Sequence, residues 1–309
     1  MKHFLVSIFL LIGSTSNLPD NLTITYEGDT IASVNRTYFA NPLINLPIAD
    51  HDKLEAFIQR LEKSVYVPPA NASIDKHGNI ISEKVGYTLD REIFKRLFYT
   101  YFFTKDASTI EAPMRKVYPA VDSELLSQIR VKRIGQYATY FNSSNKERSH
   151  NIVLASEAIN NQVIFPGETF SFNKTVGKRT KEKGYLRAPV IVRGELSEDI
   201  GGGICQISST LYNAVDSAGM TITERYSHSK RVAYVPPGRD ATVSWYGPDF
   251  RFTNNYQQPI LIRSHVYGGT ASIVIYSSED LKISPRKVPS ASFKLPEKES
   301  MGSEENREN

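Results

Sequence analysis

Gly201-Gly202-Gly203-Ile204-Cys205-Gln206-Ile207-Ser208-Ser209-Thr210-Leu211-Tyr212-Asn213-Ala214-Val215 is the stretch from which the rest of the chain can be read. Three consecutive glycines free the backbone to take φ > 0 and to approach a neighbour closely. Behind them, Ile207, Leu211, Ala214, Val215 and Ala218 recur at helical spacing, and Gly219 supplies a C-terminal stop. Cys205 therefore falls at or just before the first turn of a helix. A helix N-terminus carries roughly half a positive charge and free N–H donors. Both favour a thiolate, and the same donors suit an oxyanion. The plainer alternative is a small buried hydrophobe at the start of a packed helix.

Nucleophilic cysteine chemistry needs a base and a group that orients it. Downstream, an extended stretch from Thr221 leads to Ser227-His228-Ser229, and Val232 to Val235 leads through Pro236-Pro237-Gly238-Arg239 to Asp240, followed by Ala241 to Trp245. Cys, helix, His on a strand edge and Asp at the start of the next strand is the order of transglutaminase-like thiol enzymes, an analogy of order alone. On that reading Cys205 is the nucleophile, His228 the base and Asp240 the orienter, with Gln206 or backbone N–H groups holding the oxyanion. A capping His228 and a turn Asp240 are the structural alternative. Cys205, His228 and Asp240 are also of metal-ligand type, but the spacing shows no paired Cys/His pattern, so no metal is expected. No nucleotide-binding glycine loop follows a strand, and no cofactor is expected.

Working outward, Asn151 to Asn160 reads as a helix, Val163 to Phe165 and Thr169 to Phe172 as short strands, and Tyr185 to Val192 as a further apolar run. Upstream, Leu22 to Tyr26 alternates as a strand. Asp50 to Ser64 predicts a helix, with Asp50 or Asp52 as cap and Leu54, Phe57, Ile58 and Leu61 on one face. Asp75 to Asn79 is a hairpin turn with Gly78 at its tight point. A second helix after Asp90 is expected to turn Ile93, Leu97 and Phe98 to one side. The expected class is α+β in two domains: a small N-terminal α+β module over residues 20–120 and a mixed α/β domain over residues 130–280 built round the cysteine helix.

The 309 residues suit one or two domains. The chain is 40% hydrophobic and 23% charged, with 17 Tyr and 15 Phe, which is ample for real cores. The net charge of +4 suits a polyanionic neighbourhood without naming one. No Lys/Arg stripe interleaved with aromatics is present, so nucleic acid is not an expected partner. Lys2-His3, the apolar run Phe4 to Ile12 and the small residues Gly13 to Ser16 have the layout of an export signal, cleaved or retained as an N-terminal membrane segment, over residues 1–16. That makes an extracytoplasmic location, secreted or surface-associated, the expectation. A single Cys excludes an intramolecular disulfide. Residues 284–309 are Pro-, Lys-, Glu- and Ser-rich, and a disordered, solvated tail is expected there.

Several stretches resemble the VanW family: Asn151-Ile152, Ile164-Phe165-Pro166-Gly167-Glu168-Thr169-Phe170-Ser171-Phe172-Asn173, Gly184-Tyr185, Gly201 to Ala214, His228-Ser229, Tyr234-Val235-Pro236, Asp240-Ala241-Thr242-Val243 and Asn254-Asn255. The family commonly has His where this chain has Tyr226, which leaves His228 as the better base. Ala72-Ser73-Ile74-Asp75, Gly78 and Val85 to Asp90 resemble the peptidoglycan-binding module that often precedes such domains. The resemblance implies a bacterial cell-envelope protein that binds or acts on peptidoglycan or its peptide stems, related to accessory proteins of glycopeptide resistance. Two forms of that role stand open: a Cys-dependent acyl-transfer or amide-cleaving enzyme, and a non-catalytic wall-binding or scaffold protein. In the second, Gly201, Gly202, Gly203, Gln206, Ser208, Ser209 and Tyr234 would line a groove for a peptide or glycan.

Overall fold

The computed structural model describes residues 20–40, 48–104, 107–192 and 195–293. The expected export segment at residues 1–16 lies outside the described residues. The chain is a mixed α+β protein of seven α-helices and several small sheets among the described residues. The contacts of the described residues fall into two compact units, one of residues between 20 and 72 with those between 81 and 122, the other of residues 73–80 with those between 123 and 293. No helix among the described residues is long and apolar enough to cross a membrane.

In the first unit Asn21–Tyr26 is the middle strand of three, antiparallel to Asp29–Asn35 and parallel to Ser108–Glu111. A parallel partner requires a long crossover, and here it includes the helices His51–Val65 and Arg91–Phe103. Asp50 caps the first of them, accepting the Lys53 N–H at 3.1 Å, and Leu54, Phe57, Ile58 and Leu61 are buried as their spacing requires. The second helix corrects its expected face: Ile93 and Leu97 are exposed, while Phe94, Phe98, Tyr101 and Phe102 are buried. An aromatic stripe at i, i+4, i+7 and i+8 removes more apolar surface from water than the aliphatic one. Phe98 meets Phe39 edge-on at 4.8 Å between ring centroids.

The hairpin turn forms as read, Asp75 accepting the backbone N–H groups of His77 and Asn79, both at 2.8 Å, with Gly78 at φ +87°. Its tip, however, belongs with the second unit. Asn161 accepts the Ile74 N–H at 3.0 Å, and Arg263 donates to the Ile74 carbonyl at 2.9 Å.

The second unit is built on a four-stranded antiparallel sheet in the order Lys132–Tyr140, Thr270–Ser277, Ile260–Tyr267, Gln162–Ile164. The helices Ile204–Ser217 and Lys146–Ile159 pack on it and on each other. A Cβ on Gly135 would lie 2.5 Å from the Ala214 carbonyl oxygen, so the cysteine helix sits on the sheet as closely as its backbone allows. The helix stops as expected: Gly219, at φ +81°, donates to Asp216 O, and Met220 donates to Val215 O. That is the paired closure a left-handed glycine makes possible.

A second sheet joins Thr169–Ser171, Arg251–Thr253 and Thr221–Glu224. Between Glu224 and Arg251 the chain forms no strand, which corrects the strand placement expected for His228 and Asp240. Pro236 and Pro237 have no N–H to give a ladder, and side chains of the cysteine helix take the place of a strand partner. Residues 284–293 correct the first part of the expected solvated tail, and residues 294–309 lie outside the described residues. Ala291 is buried, Tyr137 donates to Pro289 O at 2.8 Å, Arg286 pairs with Asp216 at 2.8 Å and Phe293 packs on Tyr140. Ala291 and the partly buried Val288 carry the apolar surface that seats a segment whose average composition is polar.

Candidate functional site

Each of the three glycines before the cysteine meets a different neighbour. Gly201 and Gly203 have φ of +88° and +103°, values that side chains other than glycine rarely adopt. A Cβ on Gly202 would lie 2.4 Å from the Ala188 carbonyl oxygen. The loop thus turns back on itself and delivers Cys205 as the second residue of the helix.

Cys205 is half-buried, and three groups address its sulfur. The Val243 N–H donates to it at 3.5 Å while the thiol donates to the Val243 carbonyl at 3.5 Å, the Thr242 hydroxyl lies 3.8 Å away, and the His228 imidazole is close enough to lower the thiol's pKa. His228 Nδ1 lies 2.7 Å from Asp240 Oδ2, which leaves Nε2 for the sulfur, and the same carboxylate oxygen accepts the His228 backbone N–H at 2.6 Å. Burial pushes the Cys205 thiol up, but the His228 hydrogen bond and charge, with Val243 N–H and Thr242, outweigh it and hold it below its ordinary value. Burial pushes His228 down, and Cys205 and Asp240 together outweigh that, raising it. Burial likewise opposes ionisation of Asp240, whose bonds from His228 keep it lowered. The opposite shifts of Cys205 and His228 both favour charge separation between them, with the Asp240 carboxylate on the far side of the imidazole.

The loop bearing Asp240 is stitched to one face of the cysteine helix. Ser208 Oγ donates to Ala241 O, Ser209 Oγ accepts the Ala241 N–H at 2.9 Å, and Asn213 donates to Arg239 O at 2.8 Å. Arg239 in turn donates to Asn213 and Asp216, each at 2.7 Å. Positions 205, 209, 213 and 216 share a helical face, so Cys205 and the anchors of the loop bearing Asp240 form one stripe. The hydroxyls of Ser208 and Ser209 are therefore committed to backbone within the fold, where a ligand groove was the expectation. Gln206 is revised in the same way. Its side chain is buried, donating to Thr139 Oγ1 at 3.0 Å and Tyr140 O at 3.1 Å and accepting from Arg148 at 2.7 Å, so it is not placed to hold an oxyanion. Tyr234 is half-buried, its hydroxyl raised by burial and coupled to the Cys205 and Arg148 charges. Tyr226 is exposed and contributes its carbonyl, which accepts the Thr242 N–H at 2.8 Å.

Sequence reasoning missed Thr242, Val243, Arg148 and Arg179. The polar stripe Ser209, Asn213 and Asp216 on an otherwise apolar helix was the legible sign that this face receives a loop. Among the described residues no three His, Cys, Asp or Glu side chains converge as a metal ion would require. A groove of about 670 Å³ lies along Tyr137, Tyr140, Arg286 and Phe293 and includes none of the residues around Cys205.

The glycine loop, the cysteine helix and the loop folded onto it lie within residues 147–276, which match the family model for VanW like protein, and the chain belongs to the VanW family. It is 54% identical over 296 residues to the "Uncharacterized protein YoaR" of Bacillus subtilis (strain 168), covering 96% of this chain and 98% of that one. It is also 33% identical over 110 residues to the "Vancomycin B-type resistance protein VanW" of Enterococcus faecalis (strain ATCC 700802 / V583), over 34% of this chain and 40% of that one. No solved structure matches.

Proposed function

We propose that this protein is an extracytoplasmic thiol acyltransferase or amidase acting on peptide stems of peptidoglycan, with Cys205 as nucleophile, His228 as acid and base, and Asp240 as orienter. The observation that carries the reading is the His228 imidazole held by Asp240 Oδ2 at 2.7 Å from Nδ1, on a loop whose Val243 N–H and Thr242 hydroxyl meet the Cys205 sulfur. The lowered Cys205 thiol, with His228 among its causes, supports it.

In the reaction the thiolate attacks an amide carbonyl carbon, forming a C–S bond and an oxyanion. Collapse breaks the C–N bond, and the amine leaves with the proton from His228 Nε2. A second amine or water then attacks the thioester, gives its proton to Nε2 and restores the thiolate. Asp240 keeps Nδ1 protonated throughout, so Nε2 is the nitrogen that exchanges protons. The wall-facing location and the stem-peptide substrate draw on the family and on the export-signal layout of residues 1–16.

The test is incubation of the full chain with purified stem peptides and mass spectrometry of the intact protein. An acyl adduct on Cys205, absent in Cys205→Ser and in His228→Ala, supports the reading. Its absence, with Cys205 alkylated only after unfolding, makes the cysteine a packing residue and favours a wall-binding scaffold.

A further inference from the structure

Two arginines lie against the glycine loop that carries Cys205, and among the described residues neither forms an ion pair with a carboxylate, the Asp249 charge acting on Arg179 without a salt bridge. Arg148 donates to the neutral Gln206 Oε1 at 2.7 Å, and Arg179 to the neutral Asn173 Oδ1 at 2.7 Å. Both are half-buried, and Arg179 NH1 is enclosed with no hydrogen-bond partner among the described residues. Their stems run along the glycine loop. A Cβ on Gly201 would lie 3.1 Å from Arg179 Cβ, and one on Gly203 would lie 2.8 Å from Arg148 Cγ. The loop that delivers Cys205 is thus also the surface against which both arginines lie. Burial disfavours both charges, and the Cys205 thiolate is a counter-charge each of them feels.

Desolvated guanidinium groups ordinarily carry an ion partner. Gln206 and Asn173 fix the two forks without neutralising them. Gln206 is itself tied to Thr139 and Tyr140, and Asn173 to Ser244 O and Pro248 O at 2.9 and 3.0 Å. Two planar donors, each tied through one nitrogen to a neutral amide and with N–H groups to spare, suit a planar anion that accepts two parallel hydrogen bonds.

We propose that Arg148 and Arg179 form a carboxylate-recognition site, so that the acyl donor is a peptide bearing a free carboxylate close to the scissile amide. The inference rests on the thiol acyltransferase reading and narrows its substrate. The carboxylate would sit between the two forks while the neighbouring carbonyl faces the Cys205 sulfur. The arginines are binding groups here, and Gln206 and Asn173 position them.

The test uses two small electrophiles on the folded full chain: iodoacetate, which carries the carboxylate, and iodoacetamide, its neutral isostere. The quantity read is the ratio of their rates at Cys205, relative to the same ratio for 2-mercaptoethanol. The expected ratio favours iodoacetate by about tenfold, as a charge-assisted hydrogen bond would give. It falls toward the free-thiol value in Arg148→Gln and Arg179→Gln, and Arg→Lys retains part of it. On the wild-type chain, acetate at constant ionic strength slows iodoacetamide alkylation and acetamide does not, an arm that needs no variant to fold. A free-thiol ratio with brisk iodoacetamide reaction overturns the carboxylate site and leaves the acyltransferase reading standing. Protection by inorganic phosphate without protection by acetate overturns the assignment to carboxylate. Inertness to both reagents until unfolding overturns the acyltransferase reading, and this inference falls with it.

Discussion

Asp240 Oδ2 accepts two hydrogen bonds from one residue, the backbone N–H of His228 at 2.6 Å and its Nδ1 at 2.7 Å. A single carboxylate oxygen thus sets both the position and the tautomer of the imidazole that faces Cys205. Orientation of this kind fixes Nε2 as the ring nitrogen free to exchange a proton.

Cys205 is lowered and His228 raised, shifts that each favour the charged form of the pair. Reaction with iodoacetamide should rise as pH climbs through the depressed thiol value, below the ~8.5 of a free cysteine. Acyl transfer should in addition fall at higher pH, once His228 loses the proton the leaving amine needs. The two limbs belong to the coupled pair. His228→Ala should move the alkylation midpoint upward, and an unmoved midpoint would show that the imidazole does not tune the sulfur.

Asp240→Asn preserves shape but removes the charge that holds Nδ1–H. Loss of kcat by about two to four orders of magnitude is expected, by comparison with a carboxylate-to-amide change in a Ser-His-Asp triad. Single-turnover acylation measures it, and a loss of less than threefold would make Asp240 a turn residue only.

Asp216 lies two helical turns and more beyond Ser208 and holds Arg239, both side chains largely buried. Asp216→Ala leaves a partly buried guanidinium without its ion and should cost about 3 kcal/mol or more. Because Arg239 precedes Asp240, Cys205 alkylation should slow as well as the melting temperature drop. A drop in melting temperature with unchanged alkylation would uncouple the anchor from the site.

Gly202→Ala places a Cβ 2.4 Å from the Ala188 carbonyl oxygen. The loop must shift, and overpacking of this kind typically costs about 1–3 kcal/mol. Thermal denaturation should show it, together with a changed Cys205 alkylation rate.

Phe98 is fully buried in the first unit, with Phe39, Tyr101 and Phe102 around it. Phe98→Ala should destabilise that unit by about 3–5 kcal/mol, read by hydrogen exchange of residues 91–103. Cys205 alkylation in the second unit provides the internal control.

The sequence by itself determined the elements whose signals are local. The repeat from Ile207 to Ala218 and the stop at Gly219 specify the cysteine helix, because periodicity and a left-handed C-terminal glycine need no distant partner. The Asp50 cap and the Asp75 to Gly78 turn were legible for the same reason. Ile93 and Leu97 misled because two apolar stripes overlap on one helix, and which is buried depends on the rings it meets. The order of Cys205, His228 and Asp240 could be read along the chain, but their meeting could not. It requires Ser209, Asn213 and Asp216 to hold an irregular loop against the helix, through bonds spanning more than twenty residues. Only the tertiary structure brought Arg148 and Arg179 to the glycine loop. Nothing in their own sequence neighbourhoods marks them, since an arginine's burial and its want of an ion partner are properties of the packed surroundings.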